Sequence, residues 1–278
     1  DTDLTDSQSI TVTVNAVNDA PVAAADLSGS TNEDQSVVVN LSGTDIDGDN
    51  LTFSLDTDAV SGSVVIDGTI ATYTPTSNFN GDDSFSFIVS DGELTDTATV
   101  SLTIEAVNDA PVLATVSDVS FDEDTSGSTS LSGSDIDGDD LTYSISGGSD
   151  ITATLSGSDV SFSAPSNFNG SETFTVSVSD TDLTDSQSIT VTVNAVNDIP
   201  TLSSIGDRSF DEDSELNILL TASDIDGDAL IFSITQGTNI IASLDGGNVS
   251  FITIENFNGN ENFTITVSDG EYTDSEIF

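Results

Sequence analysis

Three copies of one pentapeptide carry most of the chemistry in this chain. DIDGD occupies Asp45–Asp49, Asp135–Asp139 and Asp224–Asp228, each time directly before LTFS, LTYS or LIFS. Asp at alternating positions on a glycine-containing loop sets hard oxygen donors where they can converge on one cation. Calcium takes about six to eight such oxygens at about 2.3–2.6 Å. The competing account is a solvated acidic turn, since Asp and Gly are common turn formers. Three copies with no Lys or Arg nearby favour the cation. An EF-hand does not fit: the glycine comes too early, and its closing Glu is replaced by Ser146 and Thr235.

The remaining composition removes other chemistries. Among 278 residues there are 50 Asp plus Glu, one Lys or Arg (Arg208), no His and no Cys, for a formal net charge of -49. Without Cys or His there is no zinc finger, iron–sulfur cluster or imidazole acid–base catalysis. One cation cannot neutralise phosphates, so neither nucleic acid nor an anionic membrane surface is expected as a partner. No apolar run is long enough to span a bilayer. Paired carboxylates can cleave glycosides, but here they recur in every repeat and cluster like cation ligands. No base is available to activate the many Ser and Thr hydroxyls. An enzyme is therefore not expected. A surface this anionic repels itself unless cations sit on it, and the chain supplies almost none of its own.

The motifs that hold these carboxylates repeat. DIDGD recurs at spacings of 90 and 89, as do VND (Val17–Asp19, Val107–Asp109, Val196–Asp198) and the pairs Glu33-Asp34, Glu123-Asp124 and Glu212-Asp213. NFNG begins at Asn78, Asn167 and Asn256, and a Val-Ser-Asp sequence ends at Asp91, Asp180 and Asp269. One unit of about 90 residues is a plausible single domain. The expected units are 20–109, 110–198 and 199–278, with 1–19 the last strand of a preceding repeat. Residues 1–19 are identical to residues 180–198, while the third unit stops short of most of its own last strand. Either the chain is a window on a longer array, or the first segment completes the third unit of a neighbouring copy.

The coarse secondary structure is all β. Ala98, Val100, Leu102 and Ile104 alternate with Thr and Ser, a period of two. Phe85, Phe87 and Val89 alternate less strictly, and Asp67-Gly68 marks a hairpin turn. About seven short strands per unit predict tandem Ig-like, seven-stranded β-sandwiches in a linear array. In NFNG, Phe79, Phe168 and Phe257 are expected to plug the core while Asn and Gly turn the chain. Tyr73, Tyr143 and Tyr272 are expected in core or sheet positions.

DIDGDNLTFS followed by VSDGELTDTATVSLTIEAVNDAP resembles the cadherin repeat in its bacterial tandem form, found in large secreted surface proteins and adhesins. The resemblance covers essentially the whole chain, three times. It implies that an early Glu, Asp-x-Asp, Asp-Gly and the Asn-Asp linker meet at domain junctions and bind calcium there. Carried onto this sequence, the first junction would use Asn18, Asp19, Asp45, Asp47 and Asp91. The second would use Glu33, Asn108, Asp109, Asp135, Asp137 and Asp180, and the third Glu123, Asn197, Asp198, Asp224, Asp226 and Asp269. The VND linker is shorter than the animal form, and NFNG stands near the place of the missing Leu-Asp-Arg-Glu motif. Asp34, Asp49, Asp139 and Asp228 either extend a site or face water, and Asp96, Asp185 and Asp274 either point at a junction or begin the last strand.

The function expected from these readings is a calcium-rigidified spacer of an extracellular bacterial surface protein, forming an adhesin stalk or filament body. Its partners would be neighbouring repeats, with lateral assembly of copies as a variant. An array of carbohydrate-binding modules is the alternative, weakened by an aromatic content of 6% with no Trp.

Overall fold

The computed structural model describes residues 5–278. Every element in it is a β-strand. In the first repeat these are β1 (Val22–Ala23), β2 (Leu27–Asn32), β3 (Val37–Asn40), β4 (Gly43–Thr44), β5 (Thr52–Thr57), β6 (Gly62–Asp67), β7 (Ile70–Pro75), β8 (Gly81–Ser90) and β9 (Thr95–Glu105). They form a four-stranded sheet ordered β2-β9-β8-β5 and a three-stranded sheet ordered β3-β7-β6. The pair β1-β4 is added beside them. The expected seven strands are thus the two main sheets, and the first strand is broken into β1 and β2. β2 runs parallel to β9, with Leu27 opposite Val100, whereas the other pairs of these sheets are antiparallel.

The alternation seen in the sequence explains the packing. Phe85, Phe87 and Val89 of β8 and Val100, Leu102 and Ile104 of β9 are all buried, while Ser101 and Thr103 of β9 are exposed and Ser86 and Ile88 of β8 are half-buried. These residues meet Val39, Leu41, Val64, Ala71 and Tyr73 from the other sheet in one core. The β6–β7 turn places Gly68 at φ 59, a conformation that glycine adopts without penalty. Phe79 and Phe168 pack partly buried against their cores, as does Phe257.

The second repeat copies this plan with β10 (Val112–Leu113), β11 (Val119–Asp122), β12 (Ser126–Ser130), β13 (Gly133–Ser134), β14 (Thr142–Gly147), β15 (Thr152–Ser156), β16 (Asp159–Ser163), β17 (Gly170–Ser179) and β18 (Thr184–Asn194). Its sheets are β11-β18-β17-β14 and β12-β16-β15. The third has β19 (Thr201–Leu202), β20 (Glu215–Leu219), β21 (Ala222–Ser223), β22 (Ile231–Ile234), β23 (Ile240–Asp245), β24 (Asn248–Thr253), β25 (Thr264–Ser268) and β26 (Thr273–Ile277). Its two sheets have three strands each, β22-β25-β26 and β20-β24-β23. Among the described residues no strand of the third repeat pairs in parallel with β26, as β2 does with β9 from Val100 onward.

Two compact units result. One runs through Ala110 and takes in Asp135–Asp139; the other comprises Pro111–Ser134 and Asp140–Phe278. Residues 5–19 form no strand, and Ile10, Val12 and Val14 are exposed. Their sequence twins Ile189, Val191 and Val193 are buried in β18. A β-strand needs a sheet to pair with, and pattern alone does not supply one. Residues 1–4 of that expected strand lie outside the described residues. Tyr73 is buried, but Tyr272 departs from expectation: it sits exposed in the turn before β26.

One position in each repeat fastens a loop with a carboxylate instead of a cation. Asp83 accepts N–H bonds from Val60 (3.1 Å) and Ser61 (2.9 Å). Glu172 accepts the N–H groups of Ser149 (2.9 Å), Asp150 (3.0 Å) and Ile151 (3.0 Å), and Glu261 those of Thr238, Asn239 and Ile240. The shorter Asp83 is joined by the buried Tyr73 hydroxyl (3.0 Å), where the other repeats have Phe162 and Phe251. Burial, then the bond to Asp83, push the Tyr73 phenol up. The Ser149 hydroxyl, followed by the Asp150 and Ser149 amides, pulls Glu172 down to about 2.

Two outcomes are expected. Thr181 is a β-branched residue at φ 93, where the other repeats have Gly92 (φ 104) and Gly270 (φ 110). Thr181→Gly relieves that strain and raises stability by about 1 kcal/mol, visible as a higher melting temperature for the second repeat. For Glu172 the folded value lies below the unfolded one, so its contribution is complete above about pH 4.5 and fades as pH falls toward about 2. Glu172→Gln therefore destabilises the chain at pH 7 and flattens the decline in melting temperature between these pH values. An unchanged acid limb in the variant contradicts the assignment.

Candidate metal centre

Each DIDGD loop is built around its first carboxylate. Asp45 Oδ1 accepts the N–H groups of Asp47 (2.9 Å), Gly48 (2.9 Å) and Asp49 (3.2 Å). Asp135 and Asp224 repeat the pattern at 2.8–3.4 Å and 3.0–3.2 Å. The turn needs positive φ at Gly48 (83), Gly138 (81) and Gly227 (83), which is why glycine holds the fourth place. Winding the loop in this way consumes one oxygen and strands the other. Asp45 Oδ2, Asp135 Oδ2 and Asp224 Oδ2 are buried with no hydrogen-bond partner. Within each loop the three Asp residues, including Asp49, Asp139 and Asp228, offer oxygens all within 4.8 Å of one another.

The linkers attach to these loops through the backbone. Asp19 N–H donates to Asp47 Oδ2 (2.8 Å), Asp109 N–H to Asp137 Oδ2 (2.8 Å) and Asp198 N–H to Asp226 Oδ2 (2.7 Å). From the other side comes the early glutamate. Glu33 Oε1 accepts the Val107 N–H (2.5 Å) and Glu123 Oε1 the Val196 N–H (2.5 Å). Both glutamates are 4% exposed, and in both Oε2 is buried without a partner. Glu212, at the same place in the third repeat, is exposed.

The first unit thus gathers Asn18, Asp19, Asp45, Asp47 and Asp91, and separately Glu33, Asp109, Asp135 and Asp137 around their linker. The second gathers Glu123, Asn197, Asp198, Asp224, Asp226 and Asp269. Glu123, Asp198 and Asp226 bring oxygens within 4.8 Å of each other. Asn108 lines a polar cavity with Asn78, Asp137 and Asp139. Asp180 belongs to the second unit, is buried, and accepts the N–H groups of Asp182 (2.8 Å) and Leu183 (2.6 Å).

Electrostatics divide these acids into two kinds. The amides of Leu94 and Glu93, with the Asn18 side chain, hold Asp91 below the usual carboxylate range. Burial pushes Asp269 upward, but the amides of Glu271 and Tyr272 and the Asn197 side chain outweigh it, so it too is lowered. Asp109 and Asp198 move the other way. Burial raises both, followed by Asp137 and Glu33 for Asp109 and by Asp226 and Asp124 for Asp198. A carboxylate crowded by like charges and short of donors is stabilised by a cation.

Several roles were not legible in the sequence. Asp96, Asp185 and Asp274 do not supply free oxygens to the linker acids: their Oδ2 atoms accept the N–H groups of Ala23, Leu113 and Leu202, each at 2.8 Å. They tie the last strand to the first. Asp34 is at φ 59 and accepts the Asn78 N–H (3.1 Å); Asp124 does the same for Asn167 (3.2 Å). Asn167 further donates its side-chain amide to Asp198 Oδ2 (2.8 Å), so NFNG does more than turn the chain. The fixed spacing of NFNG and of the Glu-Asp pair was the available signal.

A family model described as bacterial Ig domain matches residues 18–103, 108–192 and 197–277. The chain belongs to this family and is built of three tandem bacterial Ig domains. Among solved structures it is similar to PcdhgB3 EC1-4, at 11% identity over 93% of this chain and 74% of that one, with a TM-score of 0.52. It is also similar to protocadherin gamma B7 extracellular cadherin domains 1-4, at 16% identity over 91% and 73%, with a TM-score of 0.47. The endo-fucoidan hydrolase MfFcnA4 from glycoside hydrolase family 107 matches at 20% identity with a TM-score of 0.29. That match covers 90% of this chain, which spans 42% of the hydrolase. The first of these likenesses supports a cadherin-like sandwich fold. No curated protein matches. Among the described residues no helix is long and apolar enough to cross a membrane.

The strand-tying role of Asp274 gives a direct test. Asp274→Ala leaves the Leu202 amide without its acceptor and costs about 1 kcal/mol. The loss is the same with calcium and with chelator. A loss confined to calcium-containing buffer would make Asp274 a ligand instead.

Proposed function

We propose that this chain is a set of calcium-dependent structural spacers from an extracellular bacterial surface protein, acting as a stalk or filament body without catalysis. The observation that carries the proposal is the set of buried, unpartnered carboxylate oxygens at the linkers: Glu33 Oε2, Asp109 Oδ2, Asp135 Oδ2, Glu123 Oε2, Asp45 Oδ2 and Asp224 Oδ2. Leaving an ionised oxygen in such a place without a donor or cation costs several kcal/mol. The chain's single Lys or Arg is Arg208.

The donor set fits calcium, being all oxygen and numerous. Glu33, Asp109, Asp135 and Asp137 would hold ions at one linker, with Asn108 nearby. Glu123, Asp198, Asp224 and Asp226 would do so at the next, with Asn197 and Asp269, and Asn18, Asp19, Asp45, Asp47 and Asp91 at the first. The ion supplies positive charge, which turns mutual repulsion into cohesion between a loop, a linker and the preceding glutamate. With domain boundaries at 20–109, 110–198 and 199–278, every ion cluster falls on a seam. Calcium would then stabilise each repeat and fix its angle to the next, which a stalk requires. Free calcium at a hundredfold above Kd adds about 2.7 kcal/mol per site. Extracellular calcium is the natural supply, and copies bridged laterally would give a filament.

A melting titration of the full chain with calcium, magnesium and sodium tests this. Calcium is expected to raise the melting temperature saturably, with sodium far less effective. Glu33→Gln and Glu123→Gln keep the acceptor for the linker amide and lose the charge. Each should weaken calcium binding at least tenfold and leave the chelator-treated chain as stable or more stable. A melting temperature indifferent to calcium, or matched by sodium alone, overturns the proposal.

A further inference from the structure

The asparagine that opens NFNG occupies an unusual place. Asn78, Asn167 and Asn256 all have positive φ (57, 58 and 59). Asparagine tolerates that conformation, but glycine does so more readily, so the backbone alone does not call for a carboxamide. In the second unit the side chain has work of its own. Asn167 uses its main-chain N–H to hold Asp124 Oδ1 (3.2 Å) and its Nδ2–H to hold Asp198 Oδ2 (2.8 Å). Asp198 is the linker carboxylate whose oxygen lies within 4.8 Å of those of Glu123 and Asp226. Beside it, Glu123 is 4% exposed and its Oε2 has no partner. At the preceding linker Asp109 Oδ2 is itself unpartnered, so the Asn167 contact is a specific bond rather than a feature of every copy.

We propose that Asn167 is a positioning residue for a calcium site: it grips one oxygen of Asp198 so that the carboxylate is aimed at the space it shares with Glu123 and Asp226. This rests on the calcium reading given above. The chemistry suits the place. A neutral carboxamide donates a hydrogen bond to a carboxylate without adding charge to a region already crowded with it. It leaves the remaining lone pairs of Asp198 for the cation, and it restrains the linker before the ion arrives. An aspartate there would repel Asp198, and a glycine would keep the turn while letting Asp198 swing. Partners that orient a metal ligand in this way are worth about 10–100-fold in affinity.

Two variants separate this role from its rivals. Asn167→Gly preserves the positive φ and the main-chain bond to Asp124 and removes only the grip on Asp198. Asn167→Asp preserves shape and replaces a donor with a charged acceptor. Calorimetric titration of the full chain with calcium chloride should show about tenfold weaker binding at one class of sites for Asn167→Gly, and weaker binding again for Asn167→Asp. The melting temperature of the Asn167→Gly chain should fall in calcium and stay close to that of the unaltered chain in chelator. Unaltered affinity in Asn167→Gly overturns the inference, as does an equal loss of melting temperature with and without calcium. Tighter binding by Asn167→Asp also overturns it, because it would make this side chain a direct ligand. If the unaltered chain itself ignores calcium, the functional reading fails first and takes this inference with it; a chain that binds calcium while Asn167→Gly matches it sinks the inference alone.

Discussion

Carboxylates in this protein must be satisfied almost without side-chain cations, because 50 acidic residues face a single Arg. Backbone amides take over much of that task. Asp45, Asp135 and Asp224 each spend Oδ1 on the turn that follows, and Glu33 and Glu123 each spend Oε1 on a linker amide. A carboxylate has two oxygens, and the amides reach one. The other is left buried and unpartnered at the same places. The folded backbone therefore decides which oxygen of each carboxylate is used, and the turn geometry leaves the other without a donor.

The acids away from the linkers show what full satisfaction looks like. Glu172 takes three amides and a hydroxyl and is driven down to about 2. Asp83 feels burial first, yet the amides of Ser61, Ser84 and Val60 and the Tyr73 hydroxyl outweigh it, and its pKa falls. Asp109 and Asp198 are raised, since burial and neighbouring carboxylates act on them without enough donors in return. The same residue type thus reports two environments. Where the backbone closes the shell, the acid is a loop fastener; where the shell stays open toward other acids, the carboxylate is left in a repulsion that a cation would relieve. The pairing of Tyr73 with Asp83, against Phe162 with Glu172 and Phe251 with Glu261, shows the fastener being rebuilt from different lengths while keeping its target loop.

Much of the sandwich could be read from the chain because its information is local. Alternation along Phe85–Val89 and Val100–Ile104 assigns a face to each side chain, and the 89–90-residue spacing repeats the plan three times. DIDGD and VND stood out as repeated acidic motifs for the same reason. What escaped was long-range. Asp96 meets Ala23 across 73 positions, and Asn167 meets Asp198 across 31, so neither partner can be inferred from its neighbours. The break between β1 and β2, which lets β2 run parallel to β9, depends on sheet closure. Residues 5–19 make the limit explicit: Ile10, Val12 and Val14 carry the same pattern as Ile189, Val191 and Val193, and without a sheet they stay exposed.

Independence of the cores decides what the linkers must do. Within the second unit, the second and third repeats have separate hydrophobic clusters, one around Phe162 and Phe174 and the other around Phe251 and Phe263. Tandem repeats of this kind have a stability that divides into a term for each repeat and a term for each seam. No apolar cluster spans this seam, so its term falls to the linker bonds of Val196 and Asp198 and to the acids around them. The exposed bond from Asp198 to Asp226 contributes little there, so the part-buried bond from Val196 to Glu123 carries more of it. Repulsion among Glu123, Asp198 and Asp226 makes the term less favourable still, and a cation bound as proposed above would reverse its sign. On the calcium reading proposed above, such a seam separates two terms: each core is built from its own repeat's side chains, while cohesion between neighbours would follow the supply of cation.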